Sequence, residues 1–334
     1  MTVYGSDDQG DDGADRRELA PTPSSPASPT SSSQSPLLST VADEVSHRDP
    51  GYFQYYAQLQ HQQNMLQDYM RTSTYFSAIT QAGAPLFLNS VVMDVGAGSG
   101  ILSYFAAQAG ARKVYAVEAS KMANKMRVML DAARGQGAGR HPARNGYLQG
   151  RIEIIESKVE DIRQEIDKVD VIISEPIGVL LVHERMLESF IYARDKYLKP
   201  TGGVVYPSSG SIHLAPVSDA ALWSETMSKV RFWEQSAFYG VDLRPFMELA
   251  YNEYFTAPVV GCFNPRSLMA DCCLQSRGYT VDFNTVTAEE IKSFRVPIEW
   301  DIKYTGIIHA IGGWFDIAFT PPTDATLANP LLSE

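Results

Sequence analysis

Cysteine is scarce in this chain. Cys262, Cys272 and Cys273 are the only three, an odd number with no metal-type spacing. That excludes a disulfide framework and a cysteine-built metal centre, and it points to a reducing compartment. Long apolar runs are missing as well. No stretch approaches the roughly 20 residues that cross a bilayer, so no membrane partner is expected. The N-terminus carries acidic residues where a secretory leader has basic and then apolar ones, and nucleus and cytoplasm are the expected locations. Positive charge is in deficit: a formal net charge of -11 argues against direct nucleic-acid binding and suits basic substrates.

Residues 1–47 have little with which to build a core. Asp7, Asp8, Asp11, Asp12 and Asp15 lead into a Ser/Pro/Thr tract from Pro21 to Thr40 with no aromatic residue. Such a stretch cannot offset its ordering entropy by burial and reads as a disordered tail. The rest of the 334 residues, with 44% hydrophobic content overall, is long enough for two domains and a sizeable core.

Order begins near Tyr52 in the aromatic segment Tyr52-Phe-Gln-Tyr-Tyr56. Residues Gln62–Arg71 read as a helix with Met65, Leu66, Tyr69 and Met70 as its apolar stripe, ended by Thr72-Ser-Thr74 ahead of a second helix. Gln, Asn and Tyr crowd beside that stripe, which suits a lid over a polar small molecule. Residues 48–85 are therefore expected to be lid helices.

A βαβ unit follows. Val91-Val-Met-Asp-Val95 reads as a buried strand, Gly96-Ala-Gly-Ser-Gly100 as a Gly-rich turn, Ile101–Ala109 as a helix, and Lys113–Val117 as a second strand ending at Glu118. Glycines at Gly96 and Gly98 let backbone approach a ligand, and Glu118 can bind both hydroxyls of a ribose. The pattern is Gly-x-Gly-x-Gly with Ile101 where the dinucleotide fingerprint has its third glycine. Asp94, just before the turn, would repel a pyrophosphate but suits a cationic or amino-acid ligand. Both features favour S-adenosylmethionine over NAD.

Arg134–Gly146 reads as a Gly-rich basic surface loop with no assigned role. A third strand over Arg151–Glu156 leads to Lys158-Val-Glu160, and a fourth over Val169–Ile173 leads to Glu175. Gly178 separates Glu175 from Glu184, which begins a helical pattern. Taken singly, a glutamate at a helix start serves the helix dipole and one after a strand is solvated. Taken together, two carboxylates in a half-buried pocket need a cation, and a guanidinium offers donors in a fork that both can grip.

After Gly203 strand signals dominate: Val204–Tyr206, Ser211–Ala215, Tyr279–Phe283, Gly306–Ile311 and Trp314–Phe319. They read as an antiparallel β domain, interrupted by an aromatic insertion at about 222–259. That insertion reads either as a partner surface or as a stretch buried in its own chain.

In this order the motifs resemble the protein arginine methyltransferase family, most closely its coactivator-associated, type I subgroup, from about Tyr52 to Phe319. The family pattern Tyr-Phe-x-x-Tyr is met by Tyr52, Phe53 and Tyr56. Val95–Gly100 matches the first methyltransferase motif, Glu175 and Glu184 the double-E loop, and Phe232–Phe255 the dimerisation arm. The resemblance implies a Rossmann-like α/β methyltransferase domain at 86–203. It implies an antiparallel β-barrel-like domain, here incomplete, at 204–334, with a helical dimerisation arm. It also implies S-adenosylmethionine as cofactor, a homodimer, and methylation of arginine in histones and in RNA-binding or transcription factors, giving mono- and asymmetric dimethylarginine.

Position by position, Glu175 and Glu184 would be catalytic, holding the substrate guanidinium. Phe53, Tyr56, Gln62, Met65, Arg71, Asp94, Gly96, Gly98, Glu118, Val159, Glu160 and Ser189 would bind cofactor, with Arg71 on its carboxylate, Glu118 on its ribose and Val159 with Glu160 on its adenine. Met65 and Met186 would shape the substrate pocket. Two departures stand out. Ile177 and Val179 replace the family's usual Met and Tyr. Beyond Phe319 the family continues to a Thr-His-Trp loop, whereas here Thr320 leads to Asn329–Glu334. The resemblance then implies a missing substrate wall, and as the alternative a catalytically impaired chain acting as a cofactor-binding or dimerising regulatory partner.

Overall fold

The computed structural model describes residues 51–134, 145–270 and 279–320, all within the unit Arg48–Glu334. The tail at 1–47, most of the Gly-rich loop, Cys272, Cys273 and the C-terminal stretch from 321 lie outside the described residues.

Residues 51–56 are helical, followed by α1 (Leu59–Gln67), α2 (Tyr69–Ser77), a π turn (Ala78–Ala82) and α3 (Ala84–Phe87). The parallel sheet then runs β1 (Val91–Val95), α4 (Ile101–Gln108), β2 (Lys113–Val117), α5 (Met122–Ala133), β3 (Ile152–Ile155), β4 (Val171–Ser174), α6 (Met186–Tyr197) and β5 (Val204–Tyr206). Its strand order is β3-β2-β1-β4-β5, the Rossmann-like arrangement, covered on both faces as parallel sheets require.

Side chains alternate across each strand. Val91, Met93 and Val95 join Tyr115, Val117 and Ile172 in a core closed by α6 through Leu187, Phe190 and Ile191. Val92, Val114, Ala116 and Ile173 face the other way, against Tyr75, Ile79, Phe87, Leu102, Ala106 and Met126. That alternation puts Asp94 under α4, where Ser103 meets it.

The second sheet is antiparallel, in order β7-β6-β8, from β6 (Ser209–Val217), β7 (Tyr279–Asp282) and β8 (Ala310–Ala318). It packs on the first core. Phe283 meets Phe190 edge-on at 5.9 Å, and Arg194 on α6 donates to the carbonyls of Phe283 and Val286 at 2.9 and 2.8 Å. Between β6 and β7 lie α7 (Ala220–Arg231), α8 (Met247–Thr256) and, after β7, the short α9 (Ala288–Lys292).

Four expectations shift. Val204–Tyr206 pairs in parallel with β4, so it closes the first sheet rather than opening the second; a β-branched run specifies a strand but not its partner. The strand expected over Gly306–Ile311 starts only at Ala310, and Ile307 and Ile308 are exposed without ladder partners. The helix break falls at Asp68, not at Thr72–Thr74. Asp68 leaves helical geometry and its side chain accepts from Arg71 N at 3.1 Å, starting α2 afresh. Thr74 Oγ1 instead bonds back to Met70 O within α2, and Thr72 Oγ1 reaches across the break to Leu66 O of α1. This break also splits the apolar stripe: Met65 and Leu66 are half-buried, but Tyr69 and Met70 are 74% and 79% exposed.

Candidate active site

The strand order reverses between β1 and β4, and in sheets of this kind ligands bind at that point, beyond the strands' C-terminal ends. Val95 pairs with Ser174, so Gly96 and Glu175 are each the first residue past the paired ends. Ser174 Oγ donates to Val95 O at 2.7 Å and locks the two ends together. Glu118 follows β2 at the same edge, and Val159 and Glu160 follow β3 in a single 3-10 turn, Val159–Asp161.

Between the two glutamates the chain makes a tight hairpin. Gly178 and Leu181 exchange both backbone hydrogen bonds, at 3.2 and 2.9 Å. A Cβ on Gly178 would come within 2.8 Å of the Glu184 backbone and side chain, so only glycine lets the hairpin close on Glu184. Leu180, Leu181 and Arg185 all carry positive φ, 49°, 70° and 61°. Left-handed geometry costs a non-glycine residue about 1–2 kcal/mol, and such strain concentrates at functional sites. Fully buried Leu181, packed against Gly210 of β6, holds the hairpin in place. Val179 and Leu180 at its tip are exposed.

Each carboxylate has its own partners. Glu175 Oε2 accepts from Arg71 Nη2 at 2.6 Å. Burial pushes its carboxyl up to about 7; Arg71 opposes that rise and the charge of Glu184 adds to it. Glu184 Oε2 accepts two phenols, Tyr52 at 3.1 Å and Tyr56 at 2.9 Å. Burial and then the Glu184 charge push both phenols well above their ordinary range, so at neutral pH they are fixed donors. The arrangement holds two carboxylates at one sheet edge with Arg71 already seated as a guanidinium on one of them.

The Gly-rich turn is braced from several sides. Glu118, buried, accepts from Gly98 N and Ser120 N, both at 2.7 Å. Gln62, also buried, accepts from Ser99 N at 2.9 Å and donates to Tyr56 O at 3.1 Å. Gly96 and Gly98 have φ of 72° and 54°; a Cβ on the first would meet Met186 Cε at 2.7 Å and on the second Gln62 Oε1 at 2.9 Å. Beneath the turn, Asp94 is fully buried. Ser103 Oγ donates to its Oδ2 at 2.7 Å, and its Oδ1 has no partner. Burial pushes this carboxyl up to about 7. The remaining predicted residues line the rim. Phe53 lies under Lys158 Nζ at 5.5 Å. Met65 Sδ is 3.7 Å from Arg71 Nη2. Ser189 Oγ donates to Glu160 Oε1 at 2.6 Å. The bare-backbone turn and the ribose-type acid fit a ribonucleoside without a pyrophosphate.

Comparison with known proteins narrows the reading. The chain is similar to the crystal structure of protein arginine methyltransferase 10 of Arabidopsis thaliana, at 35% identity and a TM-score of 0.62, covering 80% of this chain and 74% of that one. The chain belongs to the protein arginine methyltransferase family. Residues 208–329 match the arginine methyltransferase oligomerization subdomain, and residues 76–173 match a ribosomal protein L11 methyltransferase model. The Trypanosoma brucei PRMT1 enzyme-prozyme heterotetrameric complex with AdoHcy is also similar, at 29% identity and a TM-score of 0.64, covering 80% of each chain. "Histone-arginine methyltransferase CARMER" of Drosophila yakuba is 45% identical over 269 residues, which is 80% of this chain and 47% of that protein. "Probable histone-arginine methyltransferase CARM1" of Oryza sativa subsp. indica is 45% identical over 272 residues, 81% of this chain and 48% of that protein. The chain thus spans about half the length of the curated relatives it matches.

Within this family frame, every predicted site residue except Asp94 borders the C-terminal edge of the sheet or the lid above it; Asp94 lies below the turn. Sequence reasoning missed three contacts. It left Tyr52 without a role, although it donates to Glu184. It did not pair Arg71 with Glu175. It did not find Ser103 under Asp94, for which the one available signal was a serine on the inward face of α4, buried beside the strand.

Proposed function

We propose that this chain transfers methyl groups from S-adenosylmethionine to the guanidinium of arginine residues in proteins, histones among them, giving mono- and asymmetric dimethylarginine. The observation that carries this reading is the pair Glu175 and Glu184, held by Arg71 and by two phenols at the sheet edge that also presents the Gly-rich turn. Two similar proteins are named histone-arginine methyltransferases, which supports the substrate class and a nuclear site of action; action in the cytoplasm is proposed alongside it.

Bound S-adenosylmethionine would supply a methyl on a sulfonium, an electrophile for in-line attack by a guanidinium nitrogen, the C–S bonding pair leaving on sulfur as a neutral thioether and one N–H proton being released. The chain's own residues do the rest. Glu118 would offer its free lone pairs to ribose hydroxyls, Val159 and Glu160 would border the adenine, and Arg71 would pair with the carboxylate tail. Glu184, with Oε2 occupied by Tyr52 and Tyr56, keeps Oε1 for the substrate. Glu175 and Glu184 together fix a guanidinium that is protonated at neutral pH and draw its positive charge away from the reacting nitrogen. Acceleration then comes from positioning and preorganised charge. The test is methyl transfer by the purified 334-residue chain to a histone and to a Pro-rich arginine peptide, read by mass, with Glu175→Gln as control. Transfer that disappears in the variant is expected. A folded chain that binds cofactor without transfer would leave the regulatory-partner reading instead.

We further propose a homodimer formed through the arm. The insertion folds as α7 and α8 with two 3-10 turns, Phe232–Glu234 and Arg244–Phe246, and its aromatics face outward. Trp223, Phe232, Phe238, Phe246, Tyr251 and Tyr254 are exposed and Tyr239 is 93% so, a cluster of exposed aromatics of the kind that marks a partner surface. The double variant Phe232→Glu/Tyr239→Glu is expected to sediment as a folded monomer, with a melting temperature lowered by the loss of the dimer's contribution. A dimer that persists would place the interface elsewhere.

A further inference from the structure

Gln62 stands between the two halves of the site. Its amide is used at both ends, and the chemistry fixes which way it points: Ser99 N–H requires the carbonyl oxygen, and Tyr56 O requires the amide nitrogen. On one side Ser99 adjoins Gly98, whose N–H donates to Glu118. On the other, Tyr56 donates through its hydroxyl to Glu184 at 2.9 Å. A continuous chain therefore runs Glu118, Gly98–Ser99, Gln62, Tyr56, Glu184, joining the acid at the ribose position to the carboxylate at the guanidinium position. The side chain is buried, where a lost amide contact leaves an unsatisfied backbone group rather than a water-filled gap.

We infer that Gln62 is a positioning residue that couples occupancy of the cofactor turn to the placement of Glu184, beyond any contact it makes with the cofactor itself; the inference rests on the proposed function. A ligand that fixes the Gly98–Ser99 backbone fixes the Gln62 amide, which fixes the last carbonyls of the helical residues 51–56 and hence the Tyr56 hydroxyl on Glu184. Lys125 holds the neighbouring carbonyl, Ala57 O, at 2.7 Å from an exposed side chain. It steadies the same helix end without belonging to the chain of contacts.

The test is a binding cycle by calorimetry on the full chain, with S-adenosylhomocysteine and a Pro-rich arginine peptide, which needs no turnover. S-adenosylhomocysteine is expected to tighten peptide binding about tenfold, within the range of about 5–150-fold usual for coupled sites. In Gln62→Met and in Tyr56→Phe the enhancement is expected to fall to about twofold or less, and the double variant to lose no more than either single one. Tyr56→Phe removes one hydroxyl only, so it stays informative if Gln62→Met folds poorly. The inference is overturned by absent coupling in the wild type, by an enhancement retained in either single variant, by additive losses, or by an equal loss in Lys125→Met. A wild type that binds neither ligand overturns the proposed function and takes this inference with it.

Discussion

Replacing Glu184 by glutamine is expected to lower kcat/KM for an arginine peptide by about a thousandfold, equivalent to about 4 kcal/mol. The substitution keeps the side chain's shape. An amide oxygen can still accept from Tyr52 and Tyr56, so the hairpin and its strained residues have no reason to move. What disappears is a charge aimed at the guanidinium, in a site where two phenols were already oriented toward it. Preorganised groups of this kind contribute about 2.7–4 kcal/mol each, because they cost no reorganisation when charge redistributes. The loss should therefore appear mainly in kcat, with the dissociation constant for S-adenosylhomocysteine within about threefold of wild type. A variant whose KM rises while kcat holds would show that Glu184 only binds substrate, equally in ground and transition states.

The parts of this design that the sequence displays are the local ones. Val91–Val95, the Gly-rich turn and Glu118 follow one another without interruption, and a β-branched run feeding glycines leaves few alternatives. The double-E hairpin shows itself for the same reason: Gly178 sits between two acids in a segment too apolar for a surface loop. Pairings across long separations are hidden. Arg71 and Glu175 lie 104 positions apart, and Tyr52 and Glu184 lie 132 apart, so the strength of each residue's own signal says nothing about the other. The sheet to which Val204–Tyr206 belongs is hidden likewise, because strand propensity measures fit to a pleated surface and not the identity of a neighbour. Asp68 illustrates a different failure. An aspartate inside an apolar periodic run does not interrupt the pattern, whereas here its side chain captures Arg71 N and restarts the helix. Arg71 lies in the first turn of the restarted helix, so placing the break at Thr72–Thr74 instead of Asp68 conceals the ion pair on Glu175.

Stability and activity are expected to respond to pH in opposite directions, and Glu175 is the reason. Its carboxyl is raised from 4.5 to about 7 in the folded chain, by burial first. The stability associated with a raised carboxyl is fully present below the unfolded value and is lost as pH rises through the folded one. Unfolding free energy should therefore decline between about pH 4.5 and 7, by roughly 3 kcal/mol from this residue at 1.36 kcal/mol per unit. Asp94, fully buried and also raised to about 7, acts with the same sign. In the proposed mechanism methyl transfer needs the ionised Glu175, so kcat/KM, which reports the free enzyme, should climb with a midpoint near pH 7 and level off roughly one unit above it. Arg71 separates the two acids. It opposes the rise of Glu175, so Arg71→Met, assayed at saturating S-adenosylmethionine, should move the activity midpoint to higher pH, while Asp94→Asn should leave the midpoint in place and flatten only the stability profile. An activity midpoint that ignores Arg71 but follows Asp94 would assign the kinetic titration to the buried acid beneath the Gly-rich turn.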